Sequence, residues 1–106
     1  MKTHRYHILL ALVDGPLHGA EIRRRAEEES GGAVVLYPAT LYGTLDALRN
    51  DGWIEEVEVG EADPESVRWR FYALTREGRA ALAEETRRLA AVVGRARAAL
   101  RESAGG

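Results

Sequence analysis

Cysteine is absent from the 106-residue chain, which removes disulfide frameworks, thiol nucleophiles and thiolate metal sites together. Nothing then argues for an oxidising compartment, and the expected location is the cytoplasm. Long apolar runs are missing too. The run ILLALV at 8–13, preceded by basic residues, imitates a secretory signal, but it spans six residues and no small-residue cleavage site precedes Asp14. It reads as a first buried helix, and no stretch approaches the roughly 20 apolar residues of a membrane span. Nor is there a constellation of nucleophile, base and oxyanion donors, or a phosphate-cradling glycine loop. Gly31-Gly32 is a helix stop, so an enzyme is not expected. His4 and His7 share a helix face, but two imidazoles without a third ligand make a poor metal site. Neither a metal nor a cofactor is expected.

What remains is 45% hydrophobic, enough for one modest core and too little for two. The formal charge of −2 looks wrong for a nucleic-acid binder until its distribution is considered. Residues 1–54 carry six basic and seven acidic side chains, residues 55–75 two and six, and residues 76–106 seven and four. The acid is concentrated in EEVEVGEADPESV, a segment with the Gly, Pro, Asp and Ser of a loop between strands.

Hydrophobic periodicity orders the elements. From His4 to Val13, Tyr6, Ile8, Leu9 and Leu12 fit a short helix stopped by Asp14, Gly15 and Pro16. A second helix begins near His18 or Gly19 and runs to Ser30, with Ile22 and Ala26 inward. Pro38 opens a third, striped by Leu41, Leu45 and Leu48 and closed by Asn50, Asp51 and Gly52. Three helices thus precede any strand. The period then changes to two: Trp53, Ile54, Val57 and Val59 form one short strand and residues 68–74 a second, giving a hairpin with an acidic tip. In the second strand Trp69, Phe71 and Ala73 share one face and Arg68, Arg70, Tyr72 and Leu74 the other. Trp53 and Trp69 are expected as packing at the core or wing base. Thr75 caps a last helix reaching about Arg101, with a frayed tail from Ser103 to Gly106.

The resulting class is mainly α with a small β hairpin, and helix-helix-helix-hairpin is the order of a winged helix-turn-helix. The outer face of the third helix fits that architecture. Where a solvated face would carry Glu, Lys or Arg, it carries Thr40, Gly43, Thr44 and Ala47. Small side chains let a backbone approach the floor of a groove about 12 Å wide. The expected division is a DNA-binding domain over residues 1–75 and a dimerisation helix with a short flexible tail over 76–106.

Three stretches, ILLALVDGPLHGAEI (8–22), YPATLYGTLDALRNDGWIEE (37–56) and RWRFYALTREGRAAL (68–82), together resemble the PadR family of bacterial transcriptional regulators. The most specific parts are Pro16-Leu17-His18-Gly19, Thr40-Leu41-Tyr42 and Tyr72-x-Leu74-Thr75-x-x-Gly78. The resemblance implies a homodimeric repressor that binds double-stranded DNA through a winged helix. It also implies C-terminal helices that dimerise and, as in many members, release from DNA by a small aromatic or drug-like effector bound near the dimer interface. The single helix after Gly78 is similar to that of the short members. It contains no aromatic residue, so an aromatic-lined cavity does not carry over to it.

Candidate DNA contacts are Thr40, Gly43 and Thr44 on the groove face, and Tyr42, for which the resemblance suggests a phosphate contact through its hydroxyl. Tyr37 and Arg49 stand at the two ends of the third helix. Arg68 and Arg70 lie on one wing face, their alternative being cross-strand pairing with Glu56 or Glu58. Arg23 and Arg24 lie on the helix that crosses the backbone in this architecture. Leu82, Thr86, Leu89, Val93, Ala96 and Leu100 alternate spacings of four and three, a heptad seam for dimerisation, or else for packing on the chain's own first helix. His18, just before the second helix, suits a backbone hydrogen bond better than catalysis. The rival function is a winged-helix protein-interaction module, which the acidic total favours; the basic pairs and the threonine-rich helix face favour DNA.

Overall fold

The structure, a computed structural model, describes residues 1–58 and 70–105. In chain order the elements are α1 (Thr3–Ala11), β1 (Leu17–His18), α2 (Gly19–Glu29), α3 (Pro38–Asn50), β2 (Ile54–Val57), β3 (Phe71–Leu74) and α4 (Arg76–Gly105). The core collects Ile8, Leu9 and Leu12 from the α1 segment, Ile22 and Ala26 from α2, and Leu41, Leu45 and Leu48 from α3, with Leu36, Ile54, Tyr72 and Leu82 completing it. The stripes read from periodicity bury, except for Tyr6, which packs half-buried against the core.

Helices α2 and α3 stop in the same way, and the stop aims both of them. Gly31 (φ 64°) and Gly52 (φ 77°) adopt the left-handed conformation that side chains resist. Behind each, the next amide reaches back across the last turn: Gly32 N–H donates to the Glu27 carbonyl at 2.8 Å and Trp53 N–H to the Leu48 carbonyl at 3.0 Å. Ser30 Oγ, which accepts from Val34 N–H at 2.9 Å, steers the chain from α2 towards α3.

One element departs from expectation. A strand precedes the third helix: β1 pairs antiparallel with β3, setting Leu17 opposite Tyr72 and His18 opposite Phe71. With β2 on the other side, Ile54 opposite Leu74 and Val57 opposite Phe71, the hairpin becomes a three-stranded sheet of order β1-β3-β2. Two residues are too few to show a period of two, so β1 exists only through its partner. The Tyr72 face of β3 turns inward, with Tyr72 2% exposed. Burial pushes its phenol above the usual range, opposed by the Arg70 guanidinium beside it. Val59, the acidic tip, Arg68 and Trp69 lie outside the described residues.

Thr75 joins sheet to helix. Its Oγ1 accepts from Gly78 N–H at 3.0 Å, capping α4, and donates to the Gly52 carbonyl at 2.6 Å. Gly78 has to be glycine for space: a Cβ there would stand 1.9 Å from the Trp53 carbonyl oxygen. From that junction α4 runs 30 residues, about 45 Å at 1.5 Å per residue. It passes Arg101 and stays helical through Gly105; Glu102 and Ala104 are good helix formers and nothing before Gly105 breaks the ladder. The Cα radius of gyration is accordingly 16.7 Å, above the roughly 13 Å of a compact domain this long. No helix among the described residues is long and apolar enough to cross a membrane.

Candidate nucleic-acid interface

Helices α2 and α3 meet where two of the sequence motifs touch. A Cβ on Gly19 would lie 3.0 Å from the Tyr42 hydroxyl and 3.4 Å from its ring, so the phenol lies against the first residue of α2. Glycine at 19 leaves the room that this ring fills. Tyr42 remains 51% exposed, its hydroxyl beside the unpaired amides that begin α2, a location whose partial positive charge favours an anion. Tyr37, ahead of α3, is 67% exposed.

The small face of α3 opens to solvent. Thr40, Gly43, Thr44 and Ala47 form one wall of a groove of about 380 Å³, and Lys2, His4 and Arg5 contribute to the other. No atom lies within 4 Å of the place a Gly43 Cβ would take, so this glycine serves nothing inside its own chain. Thr44 Oγ1 donates to the Thr40 carbonyl one turn back at 2.7 Å, which fixes its rotamer.

On the other side of α3 the arginines are engaged. Arg49 Nη1 lies 3.2 Å from Glu56 Oε1 and 3.9 Å from Asp46 Oδ1. Arg70 Nη1 approaches the same Glu56 oxygen at 3.5 Å. Glu56 thus takes both cations, and for Arg70 the cross-strand pairing weighed in the sequence is the geometry present. Arg68 lies outside the described residues. Along α2, Arg24 pairs with Glu28 at 3.0 Å and Arg25 approaches Asp14 at 3.6 Å. Arg23 is exposed and no described residue pairs with it.

His18 and His7 sit against neighbouring side chains. His18 Nε2 lies 2.8 Å from Glu21 Oε1, and its ring meets Phe71 edge-on at 5.6 Å. His7 stands edge-on to Tyr6. Among the described residues no cluster of His, Cys, Asp and Glu could hold a metal ion.

Sequence reasoning missed three participants. Gly19 passed as a helix start, although its place in Pro16–Gly19 marked it. Lys2 and His4 gave no signal, because 36 residues separate His4 from Thr40 and only the packing of α1 on α3 sets them across one groove.

Residues 8–84 match the family model described as the transcriptional regulator PadR-like family. A 37.1 kDa uncharacterised protein in transposon TN4556 of Streptomyces fradiae is 38% identical over 88 residues; the match takes in 83% of this chain, which spans 23% of that protein's length. Among solved structures, a PadR family transcription regulator of Clostridium difficile superposes with a TM-score of 0.74 at 19% identity, covering 88% of this chain and 93% of that one. Bacillus subtilis PadR in complex with operator DNA superposes at 0.66 with 24% identity, covering 80% of this chain and 47% of that one. These two likenesses show the fold.

Proposed function

The chain belongs to the PadR-like family of transcriptional regulators, and from that premise we propose that it is a homodimeric repressor reading an inverted-repeat operator through α3. The observation that carries the proposal is the outer face of α3. Thr40 and Gly43 are exposed and Thr44 is half-buried, and the small face they form with Ala47 flanks a groove with basic residues on its far wall. A helix presenting such a face enters a major groove without steric cost and offers hydroxyls and methyls to base edges. On this reading Tyr42, Tyr37 and Arg23, all exposed, take phosphates around it. Arg24, Arg49 and Arg70 reach DNA only by leaving their carboxylate partners.

Dimerisation is assigned to the later part of α4, where Leu89, Val93, Ala96 and Leu100 repeat at heptad spacing and Val93 and Leu100 are 46% and 70% exposed. Two copies joined there would present α3 to half-sites about one helical turn apart, roughly 34 to 36 Å. As α4 has no aromatic side chain, a small aromatic effector would find rings at Tyr6 or Trp53, half-buried beside its first turns.

Selection of duplexes from a randomised library, followed by anisotropy titration at two salt concentrations, tests the reading. The expected outcome is a palindromic consensus bound with steep salt dependence, its affinity lowered about 10- to 100-fold by Thr40→Ala/Thr44→Ala. Folded dimer that enriches no sequence would sink the proposal in favour of a protein-docking winged helix.

A further inference from the structure

The two flanks of α3 differ in sign, and a helix lying in a major groove faces a phosphate wall on each side. On the flank towards β2, the surface is lined by Asp46, Glu55 and Glu56 together with Arg49, and Arg49 and Arg70 already pair with Glu56. A phosphate approaching there would separate an ion pair and then stand beside carboxylates. The Coulomb penalty is about 1 kcal/mol per like-charge pair at 4 Å in water, and more where solvent is excluded.

On the flank towards α1 the balance is reversed. Lys2, His4 and Arg5 line the groove opposite Thr40, Gly43 and Thr44, and among the described residues none of its lining side chains is acidic. Arg5 is committed elsewhere: its Nη1 lies 2.5 Å from Asp51 Oδ2 and its guanidinium 5.6 Å from the centre of the Trp53 ring. Lys2 is exposed and His4 half-buried, and neither has an ion-pair or hydrogen-bond partner among the described residues.

We propose that Lys2 and His4, projecting from the start of α1, form a backbone-gripping arm that holds the phosphates of the strand bordering the small face of α3. This rests on the DNA-binding reading above and moves the main electrostatic contact away from Arg49 and Arg70. Lys2 supplies the charge, and the His4 ring an N–H donor at the groove edge. Neither contact depends on base identity, so the arm sets affinity and register while Thr40 and Thr44 set sequence.

The test titrates a duplex recovered from the randomised library at two salt concentrations, with circular dichroism confirming that each variant folds. Lys2→Ala/His4→Ala is expected to weaken binding about tenfold, equally for matched and mismatched sites, and to reduce the salt slope by about 1. Lys2→Arg should retain wild-type affinity, and Arg49→Ala/Arg70→Ala should stay within about twofold, since those cations sit among acids. Wild-type affinity and slope in the Lys2/His4 variant would overturn the arm, as would a loss confined to Arg49→Ala/Arg70→Ala. In either case, binding still weakened by Thr40→Ala/Thr44→Ala would leave the DNA-binding reading standing. Failure of the wild type to enrich any duplex would remove both.

Discussion

The first thirteen residues of α4 and the last seventeen belong to one unbroken helix with opposite surroundings. Over 76–88 the helix is fastened at every turn: Thr75 caps it, Gly78 presses on the Trp53 backbone, Arg79 donates to the Val13 carbonyl at 3.2 Å, and Leu82 enters the core. Thr86 gives its hydroxyl proton to the Leu82 carbonyl, which leaves Tyr6 as donor in the 2.9 Å bond between their hydroxyls. Over 89–105 no hydrogen bond or ion pair among the described residues ties it to another element, and Val92, Val93 and Leu100 stand exposed. One periodicity thus runs across two roles. The heptad seam is answered by the chain's own α1 at Leu82 and Thr86 and left bare from Val93 onward. Nucleating a helix is the costly step; here the bare stretch extends from turns already nucleated and anchored.

Gly78→Ala should be the most damaging change on the fastened side. Alanine gains up to about 1 kcal/mol of helix propensity, but its Cβ would collide with backbone that cannot step aside. A net loss on the order of 2 kcal/mol is expected, read as a lowered urea midpoint at unchanged slope. Stability equal to wild type would mean that the junction between sheet and α4 is looser than its geometry.

Next in size, Val93→Asp/Leu100→Asp should convert dimer to monomer in sedimentation equilibrium while shifting monomer stability by only about 0.5 kcal/mol, as for surface sites. Unfolding by this pair would show that the bare stretch supports the core after all.

The smallest effect belongs to the boundary between the two regions. Glu85 is pinned by Arg88, its largest influence, and by the Met1 amino group 2.7 Å away. Together they hold its carboxyl at about 2, below the ordinary 4.5. The carboxylate is favoured by folding, so its contribution is complete above pH 4.5 and is lost as pH falls from there through about 2. Glu85→Gln should flatten the acid limb of a stability-against-pH curve in that window and change nothing in its shape at neutral pH. An unchanged acid limb would show that the pair does not persist in solution.

What could be read from the chain follows from where each feature's cause lies. Helices α2 and α3 were legible almost to the residue, because Pro38, Gly31 and Gly52 act through their own backbone. The small face of α3 was legible as well, since Thr40, Gly43 and Thr44 contradict what a solvated helix face normally carries. Strand β1 was not, because Leu17 and His18 become a strand only against Phe71 and Tyr72. Arginines counted as cations in the sequence lose that meaning at 49 and 70, where Glu56 answers both. The basic wall from Lys2 and His4 arises from packing between distant segments, which no local pattern records.

The bond from Thr44 to the Thr40 carbonyl would also narrow what α3 could read as a recognition helix. On the proposed DNA-binding reading, the Thr44 hydroxyl, its only proton spent inside the helix, would meet a base pair as a pure acceptor next to a methyl group. It can receive from the amino group of adenine or cytosine, and its methyl can pack on thymine, whereas the O6 and N7 of guanine would set lone pair against lone pair. A proton spent within the helix thus weighs against Thr44 reading the guanine edge of a base pair directly.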